Sequence, residues 1–178
     1  MKTLNRYIIE GLKINSKTKV NKYSCKPKDT EELKDIIRER LKKDKNADLN
    51  DIDVSDITDM SDLFINLDPH NIDISKWDVS NVKNMEKMFF DCKNFNCDLS
   101  SWDVSNVESM EQMFYYCKKF NSNLSKWDVS NSRTFFIMFY NCDSFNQNLE
   151  KWNIKNVAET LHMFAGCKSL KNKPSWYE

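Results

Sequence analysis

The side chains that could carry catalytic chemistry are few, and their spacing matches no catalytic motif. His70 lies in the segment LDPHN, and His162 lies on a predicted helix. A cysteine–histidine nucleophilic pair would need His162 to turn inward towards Cys167, yet the surrounding pattern predicts that His162 faces outward. Cys92 and Cys97 are close in sequence, but no second close pair of zinc ligands accompanies them. The sequence therefore predicts a protein that is not an enzyme and that holds no metal and no cofactor.

A fixed interval of 25 residues separates successive members of two columns of tryptophan and cysteine. A period of about 20 to 50 residues is typical of repeat proteins, whose single units cannot bury an apolar face until their neighbours stack on them. The columns consist of Trp77, Trp102, Trp127 and Trp152, and of Cys92, Cys117, Cys142 and Cys167.

Both columns are predicted to be structural and to lie in the core. The cysteines stand among methionine and phenylalanine, where a free thiol behaves as a small hydrophobe. We therefore expect a buried ladder of thiols rather than disulfides, and a reducing compartment. A tryptophan that stacks on its copy in the next repeat buries a large area, which stabilises the array.

An aspartate column follows the tryptophans and leaves two interpretations open. Asp78, Asp103 and Asp128 continue as Asn153. Stacked carboxylates could attract a cation or a basic partner surface. Each could instead bond local backbone amides in the DVSN turn, and the change to asparagine favours this second interpretation.

The repeat LSSWDVSNVESMEQMFYYCKKFNSN, residues 99–123, predicts a short strand followed by a short helix. Trp102 and Val104 alternate with polar residues, as in a strand with one buried face. The apolar residues that follow are spaced as a helical stripe, and Ser105 stands at the expected N-cap. This stripe contains Val107, Met110, Met113, Phe114 and Cys117.

The repeated unit, with WDVSNV followed by M, MF, C and FN, resembles the BspA-like leucine-rich repeat family of bacterial surface proteins and mycoplasma-type lipoproteins. The resemblance covers about residues 52–172. It implies a right-handed solenoid whose strands stack into a parallel sheet, and a role in adhesion or protein binding. The predicted fold class is therefore α/β, a right-handed leucine-rich-repeat-like solenoid of about five 25-residue coils with a helical N-terminal cap.

Residues 1–50 are predicted to form the helical cap, and residues 51–178 the repeat solenoid with a short C-terminal tail. The segment DTEELKDIIRERLKKD combines a capping box with an apolar stripe, which predicts an amphipathic helix. Its basic side chains are the one plausible footprint for nucleic acid, but acidic neighbours dilute them and favour a solvated face. A shorter helix is predicted upstream. The capping box is Asp29 and Glu32, the stripe is Leu33, Ile36, Ile37 and Leu41, and the upstream helix contains Leu4, Ile8 and Leu12.

Composition narrows the function further. The chain has 27 basic and 27 acidic residues, so its net charge is zero, and its 2 glycines leave no glycine-rich phosphate loop. Charged residues interrupt the apolar residues near the N-terminus, which does not fit a signal peptide. The longest apolar run, FFIMFY, is too short to span a bilayer. We therefore expect a cytoplasmic protein, although the family resemblance allows a surface location.

The functional prediction depends on positions that break the repeat. Where the early repeats have the pairs Glu86–Lys87 and Glu111–Gln112, the later ones have Phe136–Ile137 and Leu161–His162. A nearby column of Phe90, Tyr115 and Tyr140 ends at Ala165. Exposed contiguous apolar surface usually marks an interface. The tail could instead fold back and cover this surface with Trp176 and Tyr177.

These observations predict a non-enzymatic module that binds another protein through its outer faces. Nucleic acid is not expected as a direct ligand. One alternative is a small intracellular inhibitor of a nucleic-acid enzyme, for example a viral counter-defence protein, and another is a fragment of a surface adhesin. The predicted partner-binding residues are Phe90, Tyr115, Phe136, Ile137, Tyr140 and Leu161.

Overall fold

The computed structural model describes residues 23–177, which contain one α-helix, α1 (Thr30–Lys43), and no continuous strand. Pairs of residues from different repeats meet in isolated parallel bridges instead of a sheet. The bridges within the described residues are Cys25–Ile52, Asp48–Asp73, Asp59–Asn84, Asn84–Ser109, Ser109–Thr134 and Thr134–Glu159.

The predicted α/β fold class, a right-handed leucine-rich-repeat-like solenoid with a helical cap, is therefore wrong. The expected strand in each repeat is reduced to single bridges, and turns take the place of the expected helix. Ser105, expected as a helix N-cap, donates its N–H to Asp103 Oδ1 at 3.0 Å within a local turn. Of the predicted cap, α1 is described, whereas the predicted helix around Leu4, Ile8 and Leu12 lies outside residues 23–177.

Helix α1 forms where the sequence predicts an amphipathic helix. The carboxylate of Asp29 accepts the Glu32 N–H at 2.9 Å, which satisfies a free donor at the N-terminus. Leu33, Ile37 and Leu41 are buried and join the core of the repeats. The helix covers the first repeat with its apolar stripe and leaves its charged face outward.

The repeats lie against one another in sequence order, and we call each one a coil. The aromatic rings of equivalent residues stack from coil to coil, for example Phe89 on Phe114 at 5.6 Å and Phe114 on Phe139 at 5.5 Å between ring centroids. The side chains of all three are fully buried. Coils 1 to 5 are residues 49–73, 74–98, 99–123, 124–148 and 149–173.

Alternate backbone N–H groups bond to different partners, which is why the predicted helix does not form. Lys87 and Phe89 donate to the carbonyl groups of Glu111 and Met113 in the next coil, at 2.9 and 3.0 Å. The intervening Phe90 donates to Lys87 in its own coil at 3.0 Å. A helix needs every N–H to bond within its own segment. Successive turns closed by bonds between residues i and i+3 result, and they keep the apolar spacing that suggested a helix.

Two positions in every coil have positive φ, in the left-handed region that disfavours most side chains. The φ values lie between 45° and 61° for the non-glycine residues of these columns. At Gly166, with φ 77°, an added Cβ would lie 1.9 Å from Oδ1 of Asn141. The columns are Asp62, Lys87, Gln112, Ile137 and His162, and Asn66, Asp91, Tyr116, Asn141 and Gly166.

The predicted tryptophan column is confirmed as core. Trp77, Trp102, Trp127 and Trp152 are each 4% exposed. Each indole N–H donates to a backbone carbonyl of the preceding coil, for example from Trp127 to Leu99 at 3.0 Å. The ring of Trp127 also stacks on that of Trp152 at 6.4 Å. A buried indole thus gains both ring contacts and a partner for its polar atom.

The four column cysteines are free thiols, and Cys92, Cys117 and Cys142 are buried as predicted, whereas Cys167 is partly exposed. Each thiol donates to a backbone carbonyl one coil earlier, from Cys92 to Phe64 at 3.3 Å and from Cys142 to Phe114 at 2.9 Å. Cys117 donates to Phe89 in the same way at 2.9 Å, and Cys167 to Phe139 at 3.0 Å. Burial raises the pKa of all four thiols, to about 12 for Cys167.

We predict that Cys92, Cys117 and Cys142 resist a bulky disulfide reagent in the folded protein at pH 8. Their thiolate forms are disfavoured by burial, and thiolate is the reactive species. Mass spectrometry of the labelled protein should find modification first at the partly exposed cysteines, and at all six after denaturation. Equal labelling of Cys117 before and after denaturation would contradict the buried ladder.

We predict that Trp127→Ala lowers the free energy of unfolding by about 3 to 5 kcal/mol, the usual cost of emptying a large buried site. Trp127→Phe is the matched control, since it keeps a ring in the column but leaves the Leu99 carbonyl without its indole donor. Its cost should be smaller, about 1 to 3 kcal/mol for one unsatisfied buried group. Urea denaturation followed by circular dichroism gives both values, and a midpoint for Trp127→Ala equal to the parent's would exclude a core role.

Candidate interaction surface

Aromatic side chains from three successive coils stack on the outer side of the turns. Phe90 lies on Tyr115 with 4.6 Å between ring centroids, and Tyr115 lies on Tyr140 with 5.2 Å, at interplanar angles of 9° and 11°. Tyr116 contacts the rings of Tyr115 and Tyr140 at 4.8 and 6.0 Å. All four side chains are half-buried. We call these residues, Phe90, Tyr115, Tyr116 and Tyr140, the aromatic ladder.

The coil backbone fixes the geometry of the ladder. Phe90, Tyr115 and Tyr140 each close a turn by donating an N–H to the residue three positions earlier, at 3.0, 3.1 and 3.1 Å. Desolvation raises the pKa of Tyr115, and its tyrosine neighbours add to that shift. The phenol of Tyr115 is therefore neutral at physiological pH, so the ladder presents aromatic surface without charge from this ring.

Apolar side chains adjoin the ladder in coils 4 and 5. The Ile137 carbonyl accepts the Tyr140 N–H at 3.1 Å, and the Ile137 N–H donates to Leu161 at 3.0 Å. Phe136 and Ile137 are half-buried, whereas Leu161 is 53% exposed. We call Phe136, Ile137 and Leu161 the apolar flank.

Two residues of this surface adopt a backbone conformation that their side chains disfavour. Ile137 has φ 45° and Tyr116 has φ 59°, both in the left-handed region. A branched or bulky side chain in that region is an outlier, whereas asparagine, aspartate and glycine tolerate it. Such strain concentrates at functional sites and persists where the surrounding structure holds it in place. The two bulky outliers both adjoin Tyr140.

The C-terminal tail does not cover the apolar flank in the described part of the chain. Trp176 stacks on Trp152 at 6.5 Å, and the edge of Tyr177 meets Phe164 at 5.0 Å. These contacts extend the core columns at the last coil. The alternative in which the tail shields the apolar side chains is therefore not what the structure shows, since Leu161 stays half-exposed.

Carboxylates surround one lysine at the other end of the surface, in coils 1 to 3. Lys87 forms an ion pair with Glu86 at 2.6 Å. The hydrogen bond with Glu86 raises the pKa of Lys87, and the charges of Asp62 and Glu111 add to the rise. We call Asp62, Glu86 and Glu111 the acidic flank. The surface thus changes along the stack from acidic to aromatic to apolar.

The aspartate column has the local role that the sequence favoured. Asp78 Oδ1 accepts the Ser80 N–H at 3.1 Å, and Asp128 Oδ1 accepts the Ser130 N–H at 3.0 Å. The hydrogen bond from the Ser130 hydroxyl lowers the pKa of Asp128. Asn153 forms the equivalent turn, so the column is explained by bonds to the backbone and not by a shared ligand.

Within residues 23–177, no group of three or more histidine, cysteine, aspartate and glutamate side chains is placed to hold a metal ion. Helix α1 is not both long enough and apolar enough to cross a membrane.

Comparison with known families assigns the chain. A model of the family described as "Mycoplasma protein of unknown function, DUF285" matches residues 31–141 and residues 110–177. The chain belongs to this family. No curated protein and no solved structure matches it in the corresponding searches. The DUF285 segments include the aromatic ladder and both flanks, so the surface lies within the family domain.

Ring contacts and backbone hydrogen bonds join five of the six predicted partner-binding residues of this DUF285 chain, namely Phe90, Tyr115, Tyr140, Ile137 and Leu161, and Phe136 directly precedes Ile137 in the chain. Their role in binding stays a prediction. Sequence reasoning missed Tyr116, although it was identifiable as an aromatic residue in a column that otherwise holds asparagine, aspartate and glycine. It also missed the acidic flank, because Asp62, Glu86 and Glu111 occupy two different columns.

We predict that Ile137→Asn changes the free energy of unfolding by less than about 1 kcal/mol. Relief of left-handed strain contributes about 1 to 2 kcal/mol, and this offsets the lost burial of a half-exposed isoleucine, about 1 kcal/mol. The adjacent Met138→Asn is the control, because Met138 is fully buried and its loss should cost several times more. If urea denaturation shows that both variants lose stability equally, Ile137 belongs to the core and not to a functional surface.

Proposed function

We propose that this protein is a protein-binding module whose partner docks on the aromatic ladder and the apolar flank. The observation that carries the proposal is the placement of Ile137 and Tyr116, two bulky side chains held half-exposed in the left-handed region. Neither gains the full burial that would repay the strain within this chain. Contact with a partner supplies the missing burial.

The chemistry of the surface supports a protein as the ligand. Tyrosine and other aromatic residues dominate the energetic centres of protein interfaces, where they present a large apolar area with a polar end. The ladder rings are stacked on one another, so their conformations are fixed before a partner arrives. Docking on such a preorganised surface costs little side-chain entropy.

The repeat pattern adds independent support for a binding role. Its unit resembles the BspA-like repeats of bacterial surface proteins, for which the resemblance implies adhesion or protein binding. In a stack of equivalent coils, the shared residues maintain the stack and the differing outward residues are available for recognition. The apolar flank consists of differing outward residues.

A cytoplasmic location is part of the proposal. The described cysteines are all free thiols, and several bond to backbone carbonyls inside the core. Free thiols persist in reducing compartments, which favours the cytoplasm over the cell surface. Fractionation of the native host with antibodies against this chain distinguishes the two, and recovery in the surface fraction alone would favour an adhesin.

We predict that Phe136→Glu combined with Ile137→Lys weakens partner binding at least tenfold, a change of about 1.4 kcal/mol or more. The two substitutions restore the polar character that Glu86 and Lys87 give to coil 2, where the same backbone accepts a lysine with φ 53°. The partner is first sought by affinity capture on the full chain and then purified, and its affinity is measured by titration calorimetry.

Lys126→Glu is the control for this experiment, since Lys126 is exposed in the same coil but outside the ladder and both flanks. It should bind the partner as the parent does. A purified partner that binds the double variant normally, or that is lost with Lys126→Glu instead, would refute the proposed surface. Circular dichroism establishes that the double variant is folded.

A further inference from the structure

The aromatic ladder stops one coil before the repeat does. Coils 2, 3 and 4 supply Phe90, Tyr115 and Tyr140 at one position, and coil 5 supplies Ala165. Equivalent residues of adjacent coils lie about 5 Å apart, as neighbouring extended segments do. The methyl group of an alanine is too short to cover the ring in the next coil across that distance. The face of the Tyr140 ring that points towards coil 5 therefore lacks the aromatic neighbour that its other face has in Tyr115.

The backbone around Ala165 repeats that of the preceding coils. The Ala165 N–H donates to His162 at 3.1 Å, as the Tyr140 N–H donates to Ile137 at 3.1 Å. The Ala165 carbonyl accepts the Asn141 N–H at 2.8 Å, as the Tyr140 carbonyl accepts the Tyr116 N–H at 2.8 Å. The Cβ of residue 165 thus starts in the register of the ladder, and in coil 5 an alanine methyl group stands in the space that a ring takes in coils 2 to 4.

We propose that this space is a slot for one planar aromatic side chain of the partner, which continues the ladder by stacking on Tyr140 above Ala165. The proposal rests on the proposed protein-binding function and names the chemistry of the partner's anchoring residue. Offset stacking of aromatic rings stabilises beyond the area that they bury, and such anchors lie at the centres of interfaces.

The surroundings of the slot favour an aromatic ring over a cationic side chain. Leu161 and Ile137, which lie in the same two coils as the slot, are apolar, and Leu161 is the most exposed large apolar residue of the surface. Two carboxylates of these coils are already engaged, Asp143 with the Lys168 ammonium at 3.1 Å and Glu159 with the Leu161 N–H at 2.8 Å. The acidic flank, which suits a cation, lies in coils 1 to 3, remote from Ala165 along the stack.

The decisive variant is Ala165→Tyr, which fills the slot with the residue that coils 3 and 4 carry. The backbone accepts tyrosine in this register twice already, so the variant should fold with unchanged or higher stability. We expect it to weaken binding of the purified partner at least tenfold, because the slot is occupied from within. Ala158→Tyr, at an exposed alanine of the same coil, is the matched control and should bind normally.

A probe tests the slot without the partner. In a protein with isotope-labelled alanine and leucine methyl groups, N-acetyl-tyrosinamide should shift the Ala165 and Leu161 methyl resonances upfield through its ring current, in a saturable way. N-acetyl-leucinamide and N-acetyl-argininamide should not do so, and Ala165→Tyr should abolish the shift. The methyl group of Ala158 reports non-specific binding.

The outcomes separate this inference from the proposed function. If Ala165→Tyr binds the partner normally while the Phe136→Glu, Ile137→Lys variant does not, the surface binds a protein but the slot is not used, and the inference fails alone. If neither variant affects binding, both fail. An absent or unsaturable shift at Ala165, or a larger response to the arginine probe, also overturns the aromatic slot.

Discussion

The alternation of backbone N–H groups between two kinds of partner governs this structure. Along the turn segments of coils 2 to 4, one N–H bonds to the next coil and the following one closes a turn within its own coil. Each coil therefore depends on its neighbour for half of its backbone bonds in this segment, because buried peptide groups need partners. Cooperative stacking follows from this constraint, and so does the order of the side-chain columns, since bonds at a constant separation place equivalent residues one above another.

The same constraint explains which features could be predicted from the sequence. Columns of Trp, Phe and Cys were predictable because any stack in register must place equivalent residues in contact, whatever its secondary structure. The absence of a helix from the repeats was not predictable in that way. Turns closed between residues i and i+3 produce the same apolar spacing as a helix. The bond that distinguishes the two, such as Lys87 to Glu111, joins different repeats and leaves no trace within one. Helix α1 was predictable, since its capping residue and its stripe lie within one local segment.

The candidate surface was predictable in part for a related reason. A change from charged to apolar residues at Phe136 and Ile137 is visible when the repeats are aligned. The conformational strain of placing isoleucine at position 137 depends on the backbone angle φ of that residue, which the structure shows. A hint existed in the column of Asn66, Asp91, Asn141 and Gly166, whose residue types share a tolerance of the left-handed region. Against that background Tyr116 is the exception. The strain became evident once the turns were seen to repeat in every coil.

A rigid stack turns small changes of residue into defined changes of surface. In most proteins, replacing a tyrosine with an alanine allows the backbone nearby to relax, but the bonds of Ala165 to Asn141 in coil 4 and to His162 in its own coil hold the backbone here. The difference between Tyr140 and Ala165 is therefore a missing ring at an unchanged backbone register and not a shifted chain. The stack that supplies stability from its shared columns is also what tolerates Ile137 and Tyr116 at unfavourable φ, because a locally costly conformation survives when many bonds specify it. The proposed recognition surface thus consists of departures from the repeat, and the backbone bonds between coils determine how large those departures can be.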